Sequence, residues 1–251
     1  MARQKGILKL EGTIGNITFY KSADGYLARE KGGIDGNRIA NDAAFQRTRE
    51  NGAEFGAAGI AGKVLRTAFR SLTINAADRL MVSRLTREFV KVIQEDQTNT
   101  RGQRNVIDGE AALLQGFEFN EQGKLSTTMY APYDVVIDRV AGTLVATIQP
   151  YVSDVMINAP SGATHYKIVA AGAEIDFENK TYVIDKKESA QLPWDSAATA
   201  LLTLSCAVTA ASTHPLFFAL GIEFYQEVNG LKYPLKNGAF NSLCLVKVDT
   251  P

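Results

Sequence analysis

Two cysteines, two histidines, one tryptophan and seven prolines in 251 residues leave several kinds of chemistry with little material. A disulfide framework needs more paired cysteines than this. Cys206 and Cys244, each inside an apolar run (LSCAV and SLCLV), are expected to be buried, reduced thiols. A zinc centre needs His and Cys at ligand spacing, and His165 (in THYKIV) and His214 (before Pro215) each stand apart from such partners. Ser161, in APSGAT, reads as part of a turn, and no Gly-x-Ser-x-Gly elbow is present. GTIGN and GGIDGN contain glycines but match neither the dinucleotide fingerprint nor the P-loop. Asp35, Asp42, Asp134 and Asp138 do not fall at calcium-loop spacing, and Trp194, in LPWDS, reads as a core or rim residue. The chain is therefore expected to hold no metal and no cofactor, and to have no enzymatic activity.

Long apolar runs are absent too. None approaches the roughly 18 residues that a membrane-spanning helix needs. The opening MARQKGILKLEG lacks the apolar centre of a secretory signal. The expectation is a protein made in the cytoplasm, with no signal peptide and no membrane span, that is free to join a particle or filament.

Charge is divided unevenly between the halves. The net charge is zero, yet residues 1–105 carry 18 Lys and Arg against 11 Asp and Glu, and residues 106–251 carry 9 against 16. Such polarity suits a polyanion partner, attraction within one chain, or contact between copies of the chain.

What is present begins with GTIGNITFYKSADGYLAREKGG, residues 12–33. Apolar residues alternate on either side of a Ser22-Ala23-Asp24-Gly25 turn, which predicts a β-hairpin. Asn41 or Asp42 can cap a following helix, which Gly52, Gly56, Gly59 and Gly62 then either break or hold in close packing. Ile60, Val64, Leu65, Ala68, Phe69 and Leu72 form one apolar stripe. A second helix is expected from an Asn75 cap, with Met81, Leu85, Phe89 and Val92 buried, giving an antiparallel pair joined through Thr73-Ile74-Asn75. A polar loop over 98–109 and a short helix ending at Gly116 follow.

From Phe117 the period changes to two. FEFN, KLSTTMYA, YDVVID, GTLVATI, THYKIVAA, KTYVID, ALLTLSCAVTA, LFFALGIEFYQEV, LKYPL and SLCLVKV are strand candidates, and Asn229-Gly230 is the sharpest turn signal among them. The fold class is α+β: an N-terminal β-hairpin arm (1–36), a helical region (37–115) and an antiparallel β-sandwich (116–251).

A hairpin is marginal alone and needs a packing surface or a further strand. With the charge polarity, this points to a structural subunit that binds copies of itself in a filament, sheath or phage-like particle. Ile17, Phe19, Tyr20, Tyr26 and Leu27 would form the coupling arm. The alternative is a nucleic-acid or other polyanion-binding protein that uses a basic surface of Arg66, Arg70, Arg84, Arg87, Arg101 and Arg104. A ligand- or carbohydrate-binding sandwich ranks third.

The stretch GTIGNITFYKSADGYLAREKGG, with NDAAFQRTRENGAEFG and AGKVLRTAFRSL after it, resembles the opening of uncharacterised proteins of Bacteroidota. In those, a short hairpin leads into an Arg-rich helical pair and a β-rich half. The resemblance covers roughly the first 100 residues. It implies no catalytic residues and favours a non-enzymatic role.

Overall fold

The computed structural model describes residues 2–30 and 32–251, apart from the side chains of Lys236 and Asn237. The chain divides into two compact units, residues 1–49 and 50–251. The sequence reading gives three regions, with boundaries at 36/37 and 115/116.

In the first unit the predicted hairpin is β3 (Ile17–Ser22) paired with β4 (Gly25–Glu30). Two short strands flank it, β1 (Ala2–Arg3) and β2 (Gly12–Ile14), in the antiparallel order β1-β4-β3-β2. Gly25 follows the Ala23-Asp24 turn with φ +104, which a side chain would strain. A short helix, α1 (Gly36–Asn41), comes next. Asp42 then accepts from Ala44 N at 2.9 Å, as its capping role requires.

The long helix α2 (Gln46–Ala68) runs unbroken through all four glycines. Only Gly62 is packed: a Cβ there would lie 3.5 Å from Phe89, while one at Gly52, Gly56 or Gly59 would meet nothing within 4 Å. Close packing therefore accounts for one glycine of the four. Ile60 does not join the apolar stripe and is exposed, because the buried face is centred on Ala58, Ala61, Leu65 and Ala68.

After a single turn, α3 (Arg70–Thr73), the second long helix α4 (Met81–Gln94) begins six residues beyond its expected cap. The Asp78 N–H that an Asn75 cap would bind donates instead to Phe119 O at 3.3 Å, while Asn75 Nδ2 donates to Glu223 Oε1 at 2.9 Å and Asp78 accepts from Leu80 N at 2.7 Å. Gly62 on α2 faces Leu85 and Phe89 on α4, whereas Gly102, beyond the end of α4, lies against Glu50. The two helices are thus antiparallel.

The C-terminal half is two antiparallel sheets curled into a half-barrel. The smaller is β5 (Tyr133–Asp138), β6 (Thr143–Ile148) and β10 (Leu202–Ala207), in the order β10-β6-β5. The larger is built on β7 (His165–Asp176) and β11 (Leu216–Val228). β8 (Thr181–Glu188) and β9 (Leu192–Pro193) pair with β7. β12 (Leu231–Pro234) and β13 (Ser242–Asp249) pair with β11. Asn229 (φ +53) and Gly230 (φ +77) make the β11–β12 turn that an Asn-Gly pair favours.

β7 and β11 are nearly continuous apolar runs because the large sheet is a middle layer. Val169, Ala171, Phe217 and Ala219 pack with Leu65, Phe69 and Phe89 of the helical region. The alternate residues Ile168, Ala170, Phe218 and Leu220 pack on Leu144, Ala146 and Leu204 of the small sheet. The sandwich thus carries the helices on its other side, which a period-two reading cannot reveal. Leu125–Thr128, expected in a strand, is a helical turn that buries Leu125, Thr128 and Met129.

Candidate assembly surface

Strand alternation splits the five residues proposed for the arm between two faces. Ile17 and Phe19 of β3 lie on one face with Tyr26 and Ala28 of β4, Ile14 of β2 and Ala2 of β1. Lys21 sits 5.5 Å above the Tyr26 ring on this face, and Lys9 lies 6.0 Å from the same ring. Tyr20 and Leu27 belong to the opposite face, where Arg29 stacks 5.6 Å from the Tyr20 ring and Thr13 meets Thr18 at 3.3 Å.

On the first face Ala2, Ile14, Ile17 and Ala28, together with Asn16, Arg29 and Glu30, line a depression of about 760 Å³. No described residue of 2–49 is buried. Within its own unit the sheet has the alternation of a half-buried structure, and none of the described residues 2–49 forms a second layer over it.

The loop between β1 and β2 is tied at its base by Gln4. Its backbone N donates to Tyr26 O at 2.9 Å, and its side-chain Nε2 donates to Leu27 O at 3.0 Å and to Leu10 O at 3.2 Å. Leu10 N returns a bond to Gln4 Oε1 at 2.9 Å. The loop tip so held presents Ile7 at 102% and Leu8 at 84% exposure.

The six arginines proposed as a basic surface do not share one environment. Arg84 turns inward: it pairs with Asp78, donates to Glu118 O at 2.7 Å and lies 5.3 Å from the Phe117 ring. Arg101 reaches Asn51 Oδ1 at 2.6 Å and Glu50 at 3.7 Å, and Arg87 pairs with Glu88 at 3.0 Å. Arg104 buries its Nε, while Arg70 is exposed and Arg66 half-buried on α2.

A buried cluster of charge lies on the middle sheet. Glu223 accepts from Asn75 at 2.9 Å and from the Tyr225 hydroxyl at 2.7 Å, and it pairs with Lys167 at 3.2 Å. It borders a cavity of about 260 Å³ together with Phe224, Pro234 and Asn241. Burial works to raise the Glu223 carboxyl, but the Asn75 and Tyr225 hydrogen bonds and the Lys167 charge hold it below the ordinary glutamate value. Lys167 is raised despite burial, mainly by the Glu223 charge, and burial raises Tyr225. Glu223 and Lys167 are thereby held charged and Tyr225 is held as the neutral phenol, which suits an interior ion pair and gives this cluster no proton donor or acceptor poised near pH 7.

His165 contacts Thr164 at 3.0 Å and lies 3.6 Å from Glu227, and His214 lies 3.8 Å from Asp176. Cys206 and Cys244 are free and buried, and burial pushes the Cys206 thiol up to about 11. Trp194 is a rim residue that donates to Ile157 O at 3.2 Å. Among the described residues no helix is long and apolar enough to cross a membrane, and no three metal-ligating side chains converge.

Sequence signal identified the hairpin but not the Gln4-tied loop, because its closure depends on contacts with Leu27 and Tyr26 more than 20 residues away. Compared with protein-family models, with curated proteins and with solved structures, the chain matches none.

Proposed function

We propose that this chain is a non-enzymatic structural subunit that binds copies of itself through its N-terminal sheet, building a filament, sheath or closed particle. One observation carries the reading. Residues 2–30 and 32–49 form an ordered four-stranded sheet and a helix without burying a single side chain, while Ile14, Ile17 and Ile34 stay exposed. A sheet with one apolar face gains its stability from a second layer, and a second molecule can supply it. The polarity of the chain, positive before residue 106 and negative after it, favours contact between unlike parts of neighbouring copies.

Light scattering of the full chain at two concentrations, with negative-stain images, tests this directly. Association that disappears on removal of residues 1–33, while residues 50–251 stay folded, is the expected result. A full chain that stays at 27.2 kDa throughout rejects it. The polyanion reading is weakened by the inward turn of Arg84 and the pairing of Arg87 and Arg101. It requires steeply salt-dependent DNA or RNA binding at low ionic strength.

A further inference from the structure

Three Asn-Gly pairs occur in the chain, at 51–52, 229–230 and 237–238, and the fold puts them in three different settings. Only one setting leaves the pair's own chemistry open. We propose that Asn229-Gly230 is a site of spontaneous covalent modification, at which the asparagine loses ammonia and becomes aspartate or isoaspartate, while the other two pairs are protected.

The step is intramolecular. The Gly230 backbone nitrogen attacks Cγ of the Asn229 carboxamide and closes a five-membered succinimide. The side-chain nitrogen leaves as ammonia, carrying the proton that the Gly230 nitrogen gives up. Water, the co-reactant, then opens the ring: attack at one carbonyl gives aspartate, and attack at the other gives isoaspartate. Glycine as the second residue leaves the attacking nitrogen unshielded and free to rotate.

Ring closure needs the turn to open, and this turn opens at little cost. Every residue from 226 to 234 is exposed, and a Cβ at Gly230 would meet nothing within 4 Å. β12 pairs only with β11, through Leu231–Pro234 against Tyr225–Val228, so the end of the hairpin is a two-stranded ribbon in water. The innermost pair is Val228↔Leu231, which leaves Gly230 outside the ladder. Fraying here uncovers no core. The other two glycines are held. Asn51-Gly52 lies within α2, where helical geometry commits the Gly52 N–H and where Arg101 reaches Asn51 Oδ1 at 2.6 Å. Gly238 is buried, and a Cβ there would lie 2.3 Å from Asn75 O, so its backbone is packed against the body of the protein. Each event at Asn229 places a new carboxylate two residues from Glu227. The isoaspartyl form also adds a carbon to the main chain, which a two-residue turn in register cannot absorb.

The test incubates the full chain at mildly alkaline pH, folded and in urea, and maps peptide masses, since each event adds about 1 Da. Dividing each site's folded rate by its own rate in urea cancels the effect of local sequence. That quotient is expected to be at least about tenfold higher at Asn229 than at Asn51 or Asn237. Asn229→Gly, which keeps a residue suited to positive φ, is expected to hold the thermal midpoint and to lose most of the mass gain of the folded chain. A smaller ratio overturns the proposal. So does an Asn229 that stays intact in the folded chain while the sample in urea reacts to completion, and so does an Asn229→Gly chain that gains mass as fast as the wild type.

Discussion

Asn75 Nδ2 donates to Glu223 Oε1 at 2.9 Å, joining residues 148 positions apart. That bond ties the segment before α4 to a buried carboxylate of the middle sheet. Glu223 is 4% exposed, and its charge is balanced by Lys167, which also reaches Glu188 at 3.2 Å.

Removing the charge from this network is expected to be expensive. Glu223→Gln should lower stability by about 3 kcal/mol, because Lys167 keeps its charge and loses its buried partner. Asn75→Ala, which removes one donor, should cost about 1–2 kcal/mol. Urea denaturation followed by circular dichroism measures both, and an unchanged midpoint for Glu223→Gln would show that the cavity already admits enough water to solvate the lysine.

Acid should unfold the protein partly through Asp96. Its carboxylate accepts from the N–H groups of Thr98 (2.8 Å), Asn99 (2.9 Å) and Asn105 (3.0 Å), and from the Asn99 amide (2.9 Å). Burial opposes ionisation, but these bonds, led by those from Asn99, hold its pKa at about 2 against 3.8. The folded value is depressed, so the stabilisation is complete above the unfolded value and is lost as pH falls from about 4 to 2. Asp96→Asn should therefore destabilise the protein at pH 7 by about 2 kcal/mol and flatten the acid limb of a stability–pH curve. An acid limb of unchanged slope would assign the effect to other carboxylates.

The glycines of α2 and of the sheets should respond in opposite ways. Gly52→Ala, Gly56→Ala and Gly59→Ala enter open space in a helix interior and should each raise stability by about 0.5–1 kcal/mol. Gly172→Ala places a Cβ 2.9 Å from Cys206 Cβ and 3.3 Å from Leu144 Cβ, and should cost about 1–3 kcal/mol by pushing the two sheets apart. Thermal melts separate the two groups. A helix glycine variant that melts higher but no longer self-associates would place that face of α2 in a contact between copies.

Much of the fold was readable locally. The β3–β4 hairpin, the Asn229-Gly230 turn and the Asp42 cap each depend on residues within a few positions of one another, so short-range pattern suffices. The start of α4 lies beyond the Asn75 cap expected from sequence because the Asp78 N–H that such a cap would bind is taken by Phe119 O, a contact that only the tertiary structure supplies. Arg84 too is placed by tertiary contact. A helical arginine spaced for solvent instead lies against Phe117 and the carbonyls of Glu118 and Phe119.

Periodicity alone determined that this chain has an α-helical stretch followed by alternating strands, because a side chain's direction along a helix or strand follows from backbone geometry. Glycine and Asn-Gly placement determined the turns, because few residues tolerate positive φ. Only the tertiary structure decided that the large sheet is a middle layer between helices and the small sheet. It alone decided that Ile17 and Phe19 share a hollow face from which Tyr20 and Leu27 are turned away, and that Gln4 holds Ile7 and Leu8 out to solvent. Those outcomes depend on which distant surfaces meet, and burial energy is set by the partner surface as much as by the residue itself.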